Sequence, residues 1–237
     1  MLVTVLIPCR NDADSLPRLM EELASLAGLL APEHFPELLL VDGGSNDGTV
    51  PLAIAWCERA SVPARLIALD TPGNFAEILR ESAALIAGDI VLVLDPSCAC
   101  PAADLVRLVR ALGDEVGLAV AAQHSVPLSL TQRILDRVNR QILRWRTRAL
   151  LPADACVGAG PRAWRQADFR ASLVEASSSA GRGVMFVRAL LRGVRCSALP
   201  LTLTPRRSAL AARTPEFLVT CAAALGTRPS RSVADVG

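Results

Sequence analysis

Two apolar runs in the first fifty residues end in the same way. "LVTVLIP" (residues 2–8) stops in Cys9, Arg10, Asn11 and Asp12, and "ELLLV" (37–41) stops in "DGGSNDGT" (42–49). Runs that are apolar at every position, and not at alternate ones, are buried on both faces, as in a parallel sheet. Between them, residues 15–30 carry helical spacing, with Ser15 placed to cap and Pro17 in the first turn. The alternation continues with a helix over 49–60, a strand over 64–69, a helix over 74–87, a strand over 89–95, a helix over 102–113 and a strand over 117–122. Such a chain builds an α/β fold, a Rossmann-like, mostly parallel sheet flanked by helices on both faces. Open sheets of this kind bind ligands beyond the carboxyl ends of their strands. Here those ends read "PCRND", "VDGGSND", "LDTPGN" and "LDPSC", so carboxylates recur where a ligand would sit.

The pattern changes after about residue 125. Residues 129–151 read as one long helix, with Ile134, Val138, Ile142 and Trp145 on one side and Arg133, Arg137, Arg140, Arg144 and Arg148 on the other. Two readings follow. The apolar side packs on the sheet, Trp145 being a buried anchor and the Arg residues solvated. Or the helix is interfacial and the Arg133–Arg148 face meets an anionic membrane. A turn-rich stretch (152–164), a helix around 183–193 and an extended segment (194–206) complete the ordered chain. Residues 207–237 read as a further helix with a polar, turn-rich tail.

Composition narrows the function. All 25 basic residues are Arg, yet the net charge is only +2, which argues against a general nucleic-acid binder. The seven Cys residues form no CxxC pair and the two His lie far from them, so a zinc site is not supported. No basic segment precedes the first strand and no apolar run spans a bilayer, which predicts a cytoplasmic chain that touches a membrane at most.

In the 42–49 loop, Asp42 can accept hydrogen bonds from a base edge or a ribose hydroxyl. Gly43 and Gly44 let a ligand approach the backbone, and Asp47 or Thr49 can cap the next helix. Read alone, the loop is equally an ordinary β–α turn. Its company decides otherwise. "VTVLIPCRND" followed by "ELLLVDGGSNDGT" resembles the opening of family-2 glycosyltransferases, which read strand–P-x-x-N-E and then strand–D-D/G-G-S-x-D-G-T. Pro8, Asn11 and Asp12 fill the first motif, with Asp for Glu. Asp42, Gly44, Ser45, Asp47, Gly48 and Thr49 fill the second. "AGDIVLVLDPS" is similar to the block in which a strand ends in the D-x-D metal motif, and "FVRALLRGVRCSALPLTLTPR" to the R-a-r-x-x-G segment. "DACVG" (154–158) keeps the D-x-x-x-G spacing of the branch that loads polyprenyl phosphate. "QILRW" (141–145) matches the Q-x-x-R-W motif of processive synthases, but it precedes the carboxylate region and the amphipathic pattern explains it.

The resemblance covers about residues 2–206. It implies one GT-A domain, with a nucleotide-binding half (1–122) and an acceptor-side half (123–206). It also implies hexosyl transfer from a nucleotide-diphosphate sugar to an unknown acceptor, possible ones being a lipid-linked or cell-envelope glycan. By resemblance Pro8, Asn11, Asp12, Asp42, Gly43, Gly44 and Asp47 hold the donor. Asp95 serves the phosphate side and the metal, Arg206 neutralises the pyrophosphate, and Asp154 is the catalytic candidate. A divalent cation, Mg²⁺ or Mn²⁺, is implied, but Ser97 stands at the second acidic position of D-x-D, and a hydroxyl is a weaker ligand for a hard cation. The usual catalytic acid pair falls at Gly181-Arg182, where no acid stands. The alternative is therefore a nucleotide-binding or interaction module that keeps the fold without transfer.

Overall fold

The computed structural model describes residues 1–69, 73, 75–96, 98–122, 129–147, 150–156, 160–173 and 181–205, with 98–99, 181–182 and 204–205 described by backbone alone. The first half alternates as the apolar runs dictate. β1 (Leu2–Cys9), β2 (Phe35–Asp42), β3 (Ala64–Ala68) and β4 (Ile90–Val93) pair in parallel, in the order β3-β2-β1-β4. Between them run α1 (Leu16–Ala24), α2 (Leu26–Leu30), α3 (Thr49–Cys57) and α4 (Phe75–Ser82), the last continued by a 3-10 turn (Ala83–Leu85). The expected single helix over 15–30 is broken at Ser25, whose hydroxyl bonds back to Glu22 O.

The sheet then turns back on itself. After β5 (Cys98–Ala99), α5 (Ala102–Arg110), β6 (Leu118–Ala121) and α6 (Leu130–Arg146), the chain enters β7 (Arg162–Arg165). β7 slots antiparallel between β4 and β6. It lies inside the stretch read as turn-rich. α7 (Gln166–Ser172), likewise unforeseen, and α8 (Gly181–Leu191) lead to β8 (Cys196–Leu199), which pairs in parallel with β6. The full order is β3-β2-β1-β4-β7-β6-β8, with β7 alone reversed. A separate ribbon joins β5 to β9 (Thr204–Pro205).

Each sheet face carries its own core. Val3, Val5 and Ile7 of β1 pack with Leu16, Leu19 and Leu23 of α1 and Leu105 and Leu108 of α5. Leu6, Leu39 and Val41 pack on the other side with Ile78 and Leu79 of α4, Phe169 of α7 and Phe186 of α8. Trp164 of β7 meets Phe169 edge-on at 6.1 Å, a geometry worth about 1 kcal/mol beyond its buried area. Neighbouring Arg162 is buried with its guanidinium 5.1 Å from the Phe186 ring centre.

α6 reverses the packing expectation. Its buried residues are Gln132, Asp136, Asn139, Arg140 and Leu143, while Ile134, Val138 and Trp145 are exposed. Trp145 is no buried anchor. The polar stripe faces inward because the chain beneath it offers polar partners. Arg140 Nη1 donates to Ala155 O at 3.3 Å and lies 3.8 Å from Asp136, whose carboxylate also accepts from the Cys156 thiol at 3.9 Å. Arg140 therefore does not belong to the solvated face. Ser129 and Gln132 form a reciprocal capping box that fixes the helix start.

Candidate functional site

The carboxyl ends of β1 and β2 lie side by side, with Cys9 in register with Asp42. Their loops are stitched together by side chains. Asn11 N donates to Ser45 Oγ at 2.9 Å, and Asn46 N donates back to Asn11 Oδ1 at 2.9 Å. Asp12 N donates to Thr49 Oγ1 at 2.8 Å, and Ala13 N to Asp47 Oδ2 at 3.2 Å. Asn11 takes a φ of 56°, a left-handed conformation that Asn tolerates and that turns the loop onto its neighbour. The two motifs thus make one wall.

Asp42 is the hub of that wall. It is buried, and its carboxylate accepts from Gly44 N at 3.0 Å, from Ser45 N at 2.9 Å and from the Ser45 hydroxyl. Gly44 holds a φ of 84°, which suits glycine. Gly43 is needed for close approach, because a Cβ there would stand 2.5 Å from Ile78 Cδ1 and 3.1 Å from Gly73 O. The segment after β3 joins the clasp, with Gly73 N donating to Gly43 O at 3.2 Å and Arg10 Nη1 to Gly73 O at 3.2 Å.

Asp47 closes the turn into α3. Burial works to raise its carboxyl, but the Thr49 hydroxyl and amide and the Ala13 amide outweigh it and hold the group below the ordinary carboxylate range. The N-cap position is Gly48, and Asp47, one residue before it, accepts from the first amide of the helix.

Asp95 lies two residues beyond β4 and is buried. Its charge, like those of Asp12 and Asp42, is felt at Cys9. Burial pushes the Cys9 thiol well up, and Asp12, Asp42 and Asp95 push it further in that order. Cys9, at the end of β1, thus feels the charge of all three acids, which stand at or just past the carboxyl ends of the adjacent parallel strands β1, β2 and β4. Nothing in its sequence flagged it beyond its place between Pro8 and Asn11. Pro8 itself is buried within β1, opposite Val41. Asp95 also borders an apolar pocket lined by Leu79, Val93, Trp164, Phe169 and Met185.

The remaining site expectations fall elsewhere. Asp154 is exposed on the turn before Ala155, which bridges to Ala122 at the end of β6. Its charge is felt at Cys196, where burial raises the thiol, Arg162 opposes the rise and Asp154 adds to it. Arg206 and Ser97 lie outside the described residues.

The donor set for a cation is narrow. Among the described residues no group of three or more His, Cys, Asp or Glu is placed to hold a metal ion. Asp95 is a single carboxylate, which fits a Mg²⁺ or Mn²⁺ ion held largely by phosphate oxygens of a ligand and not an all-protein cage.

The model of the family described as glycosyl transferase family 2 matches residues 4–166. An undecaprenyl-phosphate 4-deoxy-4-formamido-L-arabinose transferase of Photorhabdus laumondii is 31% identical over 110 residues, 46% of this chain and 33% of that protein. Its counterpart in Serratia proteamaculans is 28% identical over 108 residues, 46% of this chain and 32% of that protein. The chain spans about a third of the length of these relatives. Among solved structures, glucosyl-3-phosphoglycerate synthase of Mycobacterium tuberculosis, in complex with Mn²⁺, uridine diphosphate and phosphoglyceric acid, superposes with a TM-score of 0.70 at 19% identity, covering 97% of this chain and 80% of that one. A mannosyltransferase of Pyrobaculum calidifontis, in complex with GDP-mannose and Mn²⁺, gives 0.65 at 17% identity, over 92% of this chain and 62% of that one. The fold is the α/β GT-A fold of these neighbours, and the chain belongs to glycosyl transferase family 2.

Proposed function

We propose that this protein transfers a glycosyl unit from a nucleoside-diphosphate sugar to a lipid-linked phosphate. The observation that carries the reading is that Asp12, Asp42 and Asp95 stand at or just past the carboxyl ends of the adjacent parallel strands β1, β2 and β4, where two clasped loops form a wall. In this reading Asp12 and Asp42 hold the nucleoside, with Pro8, Asn11, Gly43, Gly44 and Asp47 fixing the shape of the wall. Asp95, on the diphosphate side, would hold a Mg²⁺ or Mn²⁺ ion, and that ion when bound would neutralise charge on the leaving diphosphate. Arg206 is assigned to the same diphosphate.

The phosphate acceptor is favoured by a relative's name, undecaprenyl-phosphate 4-deoxy-4-formamido-L-arabinose transferase, and by the chemistry. A phosphate oxygen is already anionic near neutral pH. It can form its bond to the sugar's C1 as the bond from C1 to the diphosphate breaks, without a strong protein base. Asp154 is assigned to the acceptor side, where it would orient the acceptor. The lipid would bring the reaction to a membrane surface.

Calorimetric titration with uridine and guanosine diphosphates, with and without Mn²⁺, tests the donor half. Micromolar binding that strengthens with Mn²⁺ and weakens in Asp95→Asn is expected. Absence of binding to either nucleotide overturns the reading. Undecaprenyl phosphate and labelled nucleotide sugars test the acceptor half. Nucleotide binding without transfer, by the full-length protein and with every donor tried, would instead favour a non-catalytic nucleotide-binding module.

A further inference from the structure

We propose that the outer face of α6 is a docking surface for an anionic lipid bilayer. The face is built the wrong way round for a soluble helix. Nine large hydrophobic side chains are exposed among the described residues, and four of them lie on this one helix: Leu130 (76%), Ile134 (55%), Val138 (43%) and Trp145 (80%). At 100° per residue they form one stripe about 22 Å long, centred opposite the buried Gln132, Asp136, Asn139 and Leu143. Leaving such a stripe in water forgoes on the order of 1.5–3 kcal/mol for each side chain that could be buried. Contiguous apolar surface of this kind marks an interaction site.

Charge identifies the occupant. Arg133 and Arg137 are exposed and Arg144 half-exposed, and all three run along one flank of the stripe. The helix has five Arg and one acid, Asp136, and that acid is buried on the opposite face. A cationic flank beside an apolar stripe that ends in a Trp suits the headgroup region of an anionic bilayer. No described helix is long and apolar enough to cross a membrane, so attachment by these residues would be peripheral. The polar inner face serves the same arrangement. Arg140 and Asp136 tie α6 to Ala155 and Cys156 by polar contacts, so the helix stays on the domain without using its apolar side.

The proposal extends the lipid-acceptor reading but does not depend on it. Co-sedimentation of the full chain with phosphatidylglycerol-containing vesicles, against pure phosphatidylcholine vesicles, provides the test. The wild type is expected to bind the anionic vesicles and to lose binding as salt rises. Trp145→Ser and the Ile134→Ser/Val138→Ser pair should each weaken binding about tenfold or more. Arg137→Gln and Arg144→Gln should each weaken it about fivefold. These side chains are exposed, and unchanged thermal unfolding and uridine diphosphate affinity in the variants would confirm that the fold and donor site persist. Bromine-labelled acyl chains should quench Trp145 emission, and the quenching should vanish in Trp145→Phe. Three results overturn the proposal: no binding to anionic vesicles at low salt, apolar-stripe variants that bind like the wild type, or a dimer in sedimentation that Trp145→Ser converts to monomer. Vesicle binding by a protein that binds no nucleotide would remove the donor reading and leave this proposal standing.

Discussion

The backbone amide of Asn46 donates to the side-chain oxygen of Asn11 at 2.9 Å, joining two loops that lie 35 residues apart in the chain. With the return bond from Asn11 N to Ser45 Oγ, this makes the wall a closed unit, so its residues respond to mutation together. Replacing Asn11 by Ala removes the Asn46 acceptor and places a less tolerant residue at a positive φ. A loss of about 1–3 kcal/mol by urea unfolding and a weaker nucleotide affinity are expected together.

Asp42→Ala leaves Gly44 N, Ser45 N and the Ser45 hydroxyl without their acceptor. The variant should lose about 2–4 kcal/mol of stability and at least tenfold in nucleotide affinity. Urea midpoints and calorimetry read the two separately. Full retention of nucleotide affinity would remove Asp42 from the donor site.

Gly43→Ala brings a Cβ to 2.5 Å from Ile78 Cδ1, the end of a flexible side chain, and to 3.1 Å from Gly73 O. It should cost about 1–3 kcal/mol, part of which Ile78→Val recovers by removing that methyl. A double-mutant cycle on unfolding midpoints gives the coupling. No coupling would mean that the clash is relieved elsewhere.

The Asp47 carboxyl is held below its ordinary value, so its contribution is present above the unfolded pKa, near 4, and is lost as pH falls through the lower folded value. The stability gap between the wild type and Asp47→Asn should be constant near neutrality and shrink below about pH 4. Urea unfolding at stepped pH measures it. A gap that widens in acid would contradict the hydrogen-bonding account.

Arg140 and Arg137 test the two faces of α6. Arg140→Ala removes the bond to Ala155 O and the ion pair with buried Asp136, a change expected to cost about 3–5 kcal/mol. Arg137→Ala, on the exposed face, should stay within about 0.5 kcal/mol. Equal effects would mean that the helix is rotated from the orientation described.

The parallel half of the fold was legible because both-face burial leaves no choice of residue in β1, β2 and β4, whereas turns between them need Gly, Asn and Asp. β7 was not legible. "RAWR" offers only Ala163 and Trp164 as apolar residues, and its Arg162 is buried by a ring contact with Phe186 that no local pattern announces. Of the two readings of α6, the one that packs its apolar side on the sheet fails for a related reason. The segment ending in Ala155 and Cys156 offers a carbonyl and a thiol that polar side chains satisfy, so the polar side faces inward. At the site, the motif residues were visible one by one. Their mutual bonds were not, since Asn11 and Ser45 meet only when β1 and β2 align in register.

The reversed strand has a consequence for synthesis. β4 presents an apolar edge, Ile90 to Val93, whose partner β7 is made only after α5, β6 and α6 have emerged. On the ribosome, the first four strands can assemble while that edge stands open, and open apolar edges recruit other chains. Truncations ending between β6 and β7 should therefore aggregate, and the yield of soluble protein should rise sharply once Arg165 is included.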